Sequence, residues 1–133
     1  MIDIENQVID MVIKALREKF KTIYVYGEAV QVPAGYPCVT IVEQNNSVAQ
    51  KYIDSGGIEN AVDVMYEVNV YSNLSKGKKQ EAKSIRNIVN DIMERVGFVR
   101  TISQPVINLN DISIYRILTR YEARIDSNFI CRR

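Results

Sequence analysis

Three lysines, Lys76, Lys78 and Lys79, crowd around Gly77. Basic groups this close could hold a phosphate or another anion, and Gly77-Lys78 superficially resembles part of a phosphate loop. That loop also needs an earlier glycine and a Ser or Thr after its lysine. Position 79 is a lysine, so the motif is rejected. The cluster keeps two readings. It is either the solvated start of a helix, where positive charge opposes the dipole at a cost of roughly a few tenths of a kcal/mol, or an interaction patch for an acidic partner or for phosphate. A second group, Arg116, Arg120, Glu122 and Arg124 with Asp126, alternates along the last strand-like stretch. It reads either as a wet sheet face or as a subunit contact made through ion pairs, together with Asp63, Glu67 and Asn69. Tyr52 and Asp54, in a stretch without periodicity, are further candidate contacts.

Catalytic sets are missing. The chain has no histidine, which removes the commonest general base and metal ligand. Cys38 and Cys131 lie far apart, without zinc spacing, and read as reduced thiols. Gly56-Gly57 reads as a turn, no nucleophile elbow appears, and the carboxylates are scattered. The expectation is a protein that is not an enzyme and uses no metal or cofactor. Eight tyrosines against three phenylalanines and no tryptophan suit surfaces that are part apolar and part wet. Tyr24, Tyr66, Tyr115 and Tyr121 are expected in the core or on the sheet. Tyr36, Tyr52 and Tyr71 are the candidates for outside contacts.

These groups need a scaffold, and the stretch from Ala61 to Gly97 supplies its centre. Val62, Val64, Tyr66, Val68 and Val70 alternate with Asp63, Met65, Glu67, Asn69 and Tyr71, the period of two of a half-buried strand. A helix follows, with Ser75 as the expected N-cap and Gly97 as the C-cap. Ile85, Val89, Ile92, Met93 and Val96 form its apolar stripe, and Lys79, Lys83, Arg86, Asn90 and Glu94 its wet side. A first helix is expected over 3–20, capped by Asp3, with Val8, Ile9, Val12, Ile13, Leu16 and Phe20 inward. Short strands are expected at 23–26 and 38–44, the latter inside the sheet because both its faces are apolar. Residues 45–60 read as a long loop. A strand at 98–103 is limited by Pro105 or placed at an edge by it. A turn at 108–111 leads into a last strand over 112–126, with Tyr115, Ile117, Thr119, Tyr121, Ala123 and Ile125 inward. The fold class is α+β, a mostly antiparallel sheet of about four to five strands with two α-helices packed on one face.

The 133 residues fit one domain, 1–133, with ordinary proportions of apolar (47%) and charged (25%) residues. A formal net charge of +1 gives no overall pull toward nucleic acid or an anionic membrane. No apolar run is long enough to span a bilayer, and the acidic Met1-Ile-Asp-Ile-Glu start is unlike a signal peptide. A soluble protein of the cytoplasm is expected.

The chain resembles the tail terminator, or tail completion, proteins of tailed bacteriophages, in particular the short ones often labelled minor capsid proteins in phages and prophages of Gram-positive bacteria. The resemblance rests on Pro37-Cys-Val-Thr-Ile-Val-Glu43 after a proline-containing loop and on Tyr66-Glu-Val-Asn-Val-Tyr-Ser-Asn73 leading into Gly77-Lys-Lys-Gln-Glu-Ala-Lys83 and Ile88-Val-Asn-Asp-Ile-Met93. It extends to Gly97-Phe-Val-Arg100, Asn108-Leu-Asn-Asp111, Tyr115-Arg116 and Arg120-Tyr-Glu-Ala-Arg124, so the order of elements is similar over nearly the whole chain.

The resemblance implies a structural virion protein at the head–tail junction, assembled in the bacterial host cytoplasm. Such proteins close into a ring of copies, commonly a hexamer, that ends tail-tube polymerisation and offers a docking face to the head. The implied partners are other copies, the tail tube protein and a head-completion or connector protein. DNA passes through the lumen without specific reading, and no membrane is involved. On this reading the 45–60 loop reaches a neighbour or the tube, and the last-strand face meets another subunit. The rival readings are a head-completion or adaptor protein, a generic protein-binding α+β domain, and a nucleic-acid module, for which the lysines at 76–79 are too few.

Overall fold

The computed structural model describes residues 2–30, 33–48, 61–108 and 111–126. In chain order the elements are α1 (Glu5–Arg17), β1 (Tyr24–Tyr26), β2 (Cys38–Val48), β3 (Ala61–Ser72), α2 (Lys78–Val96), β4 (Val99–Ile107) and β5 (Tyr115–Asp126). The strands form one sheet in the order β1-β2-β3-β5-β4. The three pairings β2–β3, β3–β5 and β4–β5 are antiparallel, whereas β1 runs parallel to β2. The fold is α+β, as the alternation of apolar residues requires.

β3 is central because it is apolar on one side along its whole length. Val62, Val64, Tyr66, Val68 and Val70 are all buried, and they join Val39 and Ile41 of β2 and Ile117, Tyr121 and Ile125 of β5 in one core. The helices cover this face. α1 contributes Val8, Val12 and Leu16, spaced four apart, and α2 contributes Ala82, Ile85, Val89 and Met93. Phe98 sets its ring edge-on to Tyr66 at 5.7 Å, so the residue that ends the α2 turn also closes the core.

Several boundaries differ from the sequence reading. α1 begins at Glu5, with Ile4 at the N-cap and no side-chain cap there. Asp3 instead accepts the Glu5 N–H through Oδ1 at 3.1 Å, one residue early. α1 ends at Arg17, although the Phe20 amide still reaches the Leu16 carbonyl at 2.8 Å. α2 starts at Lys78, and its N-cap is Gly77 at φ 81°, not Ser75. Glycine has no Cβ to oppose that left-handed turn. At the other end Gly97 is left-handed as expected, at φ 108°, and the Phe98 amide bonds the Met93 carbonyl at 2.9 Å.

β2 runs on to Val48 through a bulge between Glu43 and Asn45, into residues the sequence reading gave to a loop. The inserted residue shifts the period of two, so alternation no longer marks the strand. β4 likewise passes its own bulge near Thr101 and continues through Pro105 to Ile107, at the sheet edge where a missing N–H is tolerated. β5 starts at Tyr115 rather than at 112. The Asp111 carboxylate accepts both the amide (3.0 Å) and the hydroxyl (2.6 Å) of Ser113, which fixes a turn instead of extended chain. Asn90 of α2, expected on the wet side, accepts the Tyr121 hydroxyl at 3.1 Å. Tyr24, expected in the core or on the sheet, is on the sheet and 39% exposed. It lies on an edge strand of three residues, over Gly35, where a Cβ would come within 2.6 Å of its ring.

Candidate interaction surface

The other sheet face carries no helix; its end at Cys38, Thr40 and Asn69 is buried all the same, and the part around Met65, Arg120 and Glu122 is the more open. Asp63, Met65, Glu67, Asn69 and Tyr71 of β3 point to this face, in register with Arg124, Glu122, Arg120, Leu118 and Arg116 of β5. The expected charged side chains do share this face. Their ion pairs are made within the chain. Arg124 Nε and Nη2 hold the two Asp63 oxygens at 2.7 and 3.1 Å, a bidentate fork. Arg120 lies 3.6 Å from Glu67, whose other oxygen accepts the Gln44 amide at 3.2 Å. Arg116 Nε donates to Asn69 Oδ1 at 2.8 Å, and its guanidinium lies 5.5 Å from the Tyr71 ring centre. Glu122 differs, standing between Met65 and Val99 in register without an ionic partner among the described residues. A shallow hollow of about 650 Å3 opens there, lined by Asn45, Ser47, Met65, Val99 and Glu122 among others.

β4 extends this surface. Val99 and Ile102 lie on the open side of the sheet edge, exposed at 60% and 38%. The sequence reading missed them. The one available signal was Pro105, which marks an edge and therefore a strand whose apolar residues lack a covering neighbour.

The lysine cluster lies elsewhere, at the end of the molecule where β5 begins. Lys76 and Lys79 are exposed, and Lys78 Nζ donates to the Ser113 carbonyl at 2.7 Å. Glu81, in the same helical turn, faces inward and accepts the Ser72 hydroxyl at 2.8 Å. The structure thus joins Lys78 to the 111–114 turn, at the end of the sheet away from Asp63 and Arg124. Tyr52 and Asp54 lie outside the described residues.

Tyr36 and Tyr71, expected to make outside contacts, are half-buried over Cys38 and Thr40. Burial pushes the Cys38 thiol up to about 11, which suits an inert buried cysteine. Burial also raises Glu43, against the opposing hydrogen bond from Tyr66, and the nearby charges of Asp3 and Glu5 raise it further. Among the described residues no group of three or more acidic or cysteine side chains is placed to hold a metal ion, and no helix is long and apolar enough to cross a membrane. The helix-free sheet face thus combines one bidentate ion pair, a guanidinium over a tyrosine ring and uncovered aliphatic side chains. No family model matches the chain, and no curated protein matches it at a significant level.

Proposed function

We propose that this chain is a structural subunit that closes into a ring with copies of itself and caps the head-proximal end of a phage tail tube, as the resemblance of its sequence implies. The observation that carries the reading is the one-sided cover of the sheet. A two-layer fold whose second sheet face is partly open and is extended by Val99 and Ile102, and which also exposes Ile107 and Ile112 at the end where β5 begins, keeps surface for partners in more than one place. A ring subunit needs such surfaces, because a heterologous contact uses two different patches of one molecule and a further face must meet the tube or the head. The intramolecular pairing of Arg116, Arg120 and Arg124 presets the charged side chains of the open face, which lowers the ordering cost of a contact.

The test is absolute mass by light scattering over a wide concentration range. A mass about six times the 15.2 kDa of the chain, or a monomer rising toward it, is the expected result. A stable dimer closed by two-fold symmetry would sink the ring.

A further inference from the structure

The end of the molecule where β4 finishes and β5 begins carries an apolar hollow, with Arg116 in its lining and Lys78 bonded to its turn. Ile107 and Ile112 stand beside it, exposed at 70% and 81%. Pro105, Ile114 and Tyr115 help to line its volume of about 490 Å3. The bond from Lys78 to the Ser113 carbonyl fastens the start of α2, with Lys76 and Lys79 on either side of it in the chain, to the turn that carries Ile112. Leu74, exposed at 43%, lies in the adjoining β3–α2 connection. Glu81, the acid of the first turn of α2, is engaged by Ser72, and Asp111 of the 111–113 turn lies near Lys78, while Lys76 and Lys79 are exposed. Large aliphatic side chains near exposed cations fit a partner that is acidic at its rim and able to cover apolar area.

A second copy supplies one. Asp3 and Glu5 at the start of α1 lie close to Glu43 of β2. Asn46, opposite Val64, donates to the Ile2 carbonyl at 2.8 Å and fixes this acidic edge in the lower half of the sheet. Val64 lies eight residues from Ser72 along β3, or about 27 Å at the usual rise per residue. The acidic edge and the hollow are therefore separate patches. With a net charge of +1, base at one end is balanced by acid elsewhere on the same chain. A two-fold contact, hollow to hollow, would bring two sets of lysines face to face, which like-charge repulsion disfavours. We propose that the hollow at Ile107 and Ile112, with the Lys76–Lys79 segment anchored to its turn through Lys78, receives the acidic N-terminal edge of α1 from the next copy, head to tail. The proposal rests on the self-assembly argued under the proposed function and names the two surfaces that meet. A contact between unlike patches, repeated by rotation, closes a ring.

The experiment uses the full chain and three variants: Lys76→Glu with Lys79→Glu, Asp3→Lys with Glu5→Lys, and Ile112→Asp. Thermal melting checks that each folds, and light scattering at low and high salt reads association. The expected result is self-association of the wild type that weakens with salt and falls at least about tenfold in each variant. Mixing the two charge-reversed proteins should restore it, because each then offers the patch the other needs. Wild-type association that survives the lysine reversal unchanged would overturn the head-to-tail contact and leave the ring reading standing. A wild type that stays monomeric at every concentration and salt level would overturn both. Vesicles with anionic lipid serve as the competing probe: lysine-dependent binding to them without self-association would assign the hollow to a lipid surface and overturn the proposal.

Discussion

Asp63 and Arg124 meet through two hydrogen bonds, yet both are partly wet, at 41% and 31% exposure of their side chains. Fork geometry strengthens such a pair, and water and salt weaken it. A double-mutant cycle with Asp63→Ala and Arg124→Ala should therefore give a coupling of about 0.5–1 kcal/mol in urea unfolding, shrinking at high salt. Glu43 behaves in the opposite sense. Burial, with Asp3 and Glu5 nearby, raises its carboxyl in the folded state. The fold then holds more protons than the unfolded chain, so this group favours folding below its unfolded value and opposes it increasingly as pH rises through the folded one. Glu43→Gln keeps an acceptor for the Tyr66 hydroxyl and removes the charge. The variant should unfold at a higher urea concentration than wild type at neutral pH, and the gap should close in acid. A gap that widened in acid would contradict the burial argument. The identities of the charged residues on this face were legible from alternation alone. Which acid each arginine meets was not, because that depends on the register between β3 and β5.

At the scale of elements, the two bulges mark where sequence reading failed. Alternation located β3 and the body of β5 because neither is interrupted. It stopped at Gln44 in β2 and at Ser103 in β4, since one inserted residue or a proline hides a strand that still pairs. Helix ends failed for a related reason. Ser75 has the right side chain for a cap, but Gly77 has the backbone freedom the turn requires. Gly97 was read correctly because a left-handed glycine after an apolar stripe has few other uses. Gly97→Ala should cost about 1 kcal/mol, lowering the melting temperature by several degrees, since any Cβ is strained at φ 108°. Thermal unfolding of the variant measures this. An unchanged midpoint would mean that the α2–β4 turn relaxes at no cost.

The whole molecule is a sheet with one face wholly used for folding and the other covered only in part, at Cys38, Thr40 and Asn69, and β3 shows both situations in adjacent residues. Val64 is 2% exposed and packs among the helices, whereas its neighbour Met65 looks outward over the hollow between Asn45 and Glu122. If the open face is not needed to hold the chain together, truncating the two side chains must have unequal effects. Val64→Ala should cost about 2 kcal/mol, from the methyl groups lost from the core and the cavity they leave. Met65→Ala should cost less than about 1 kcal/mol, although it removes more atoms, because water fills the space it vacates. The same inequality should hold between Ile117 and Leu118 on β5, the first 1% exposed under the helices and the second on the open side. Urea unfolding of the four alanine variants at low protein concentration isolates the single chain from any partner. Equal costs on both faces would mean that the open face is covered from within the chain and has no surface to give a neighbour. Unequal costs would mean that Met65 and Leu118 occupy positions the fold does not require, which is the condition for a face that serves assembly.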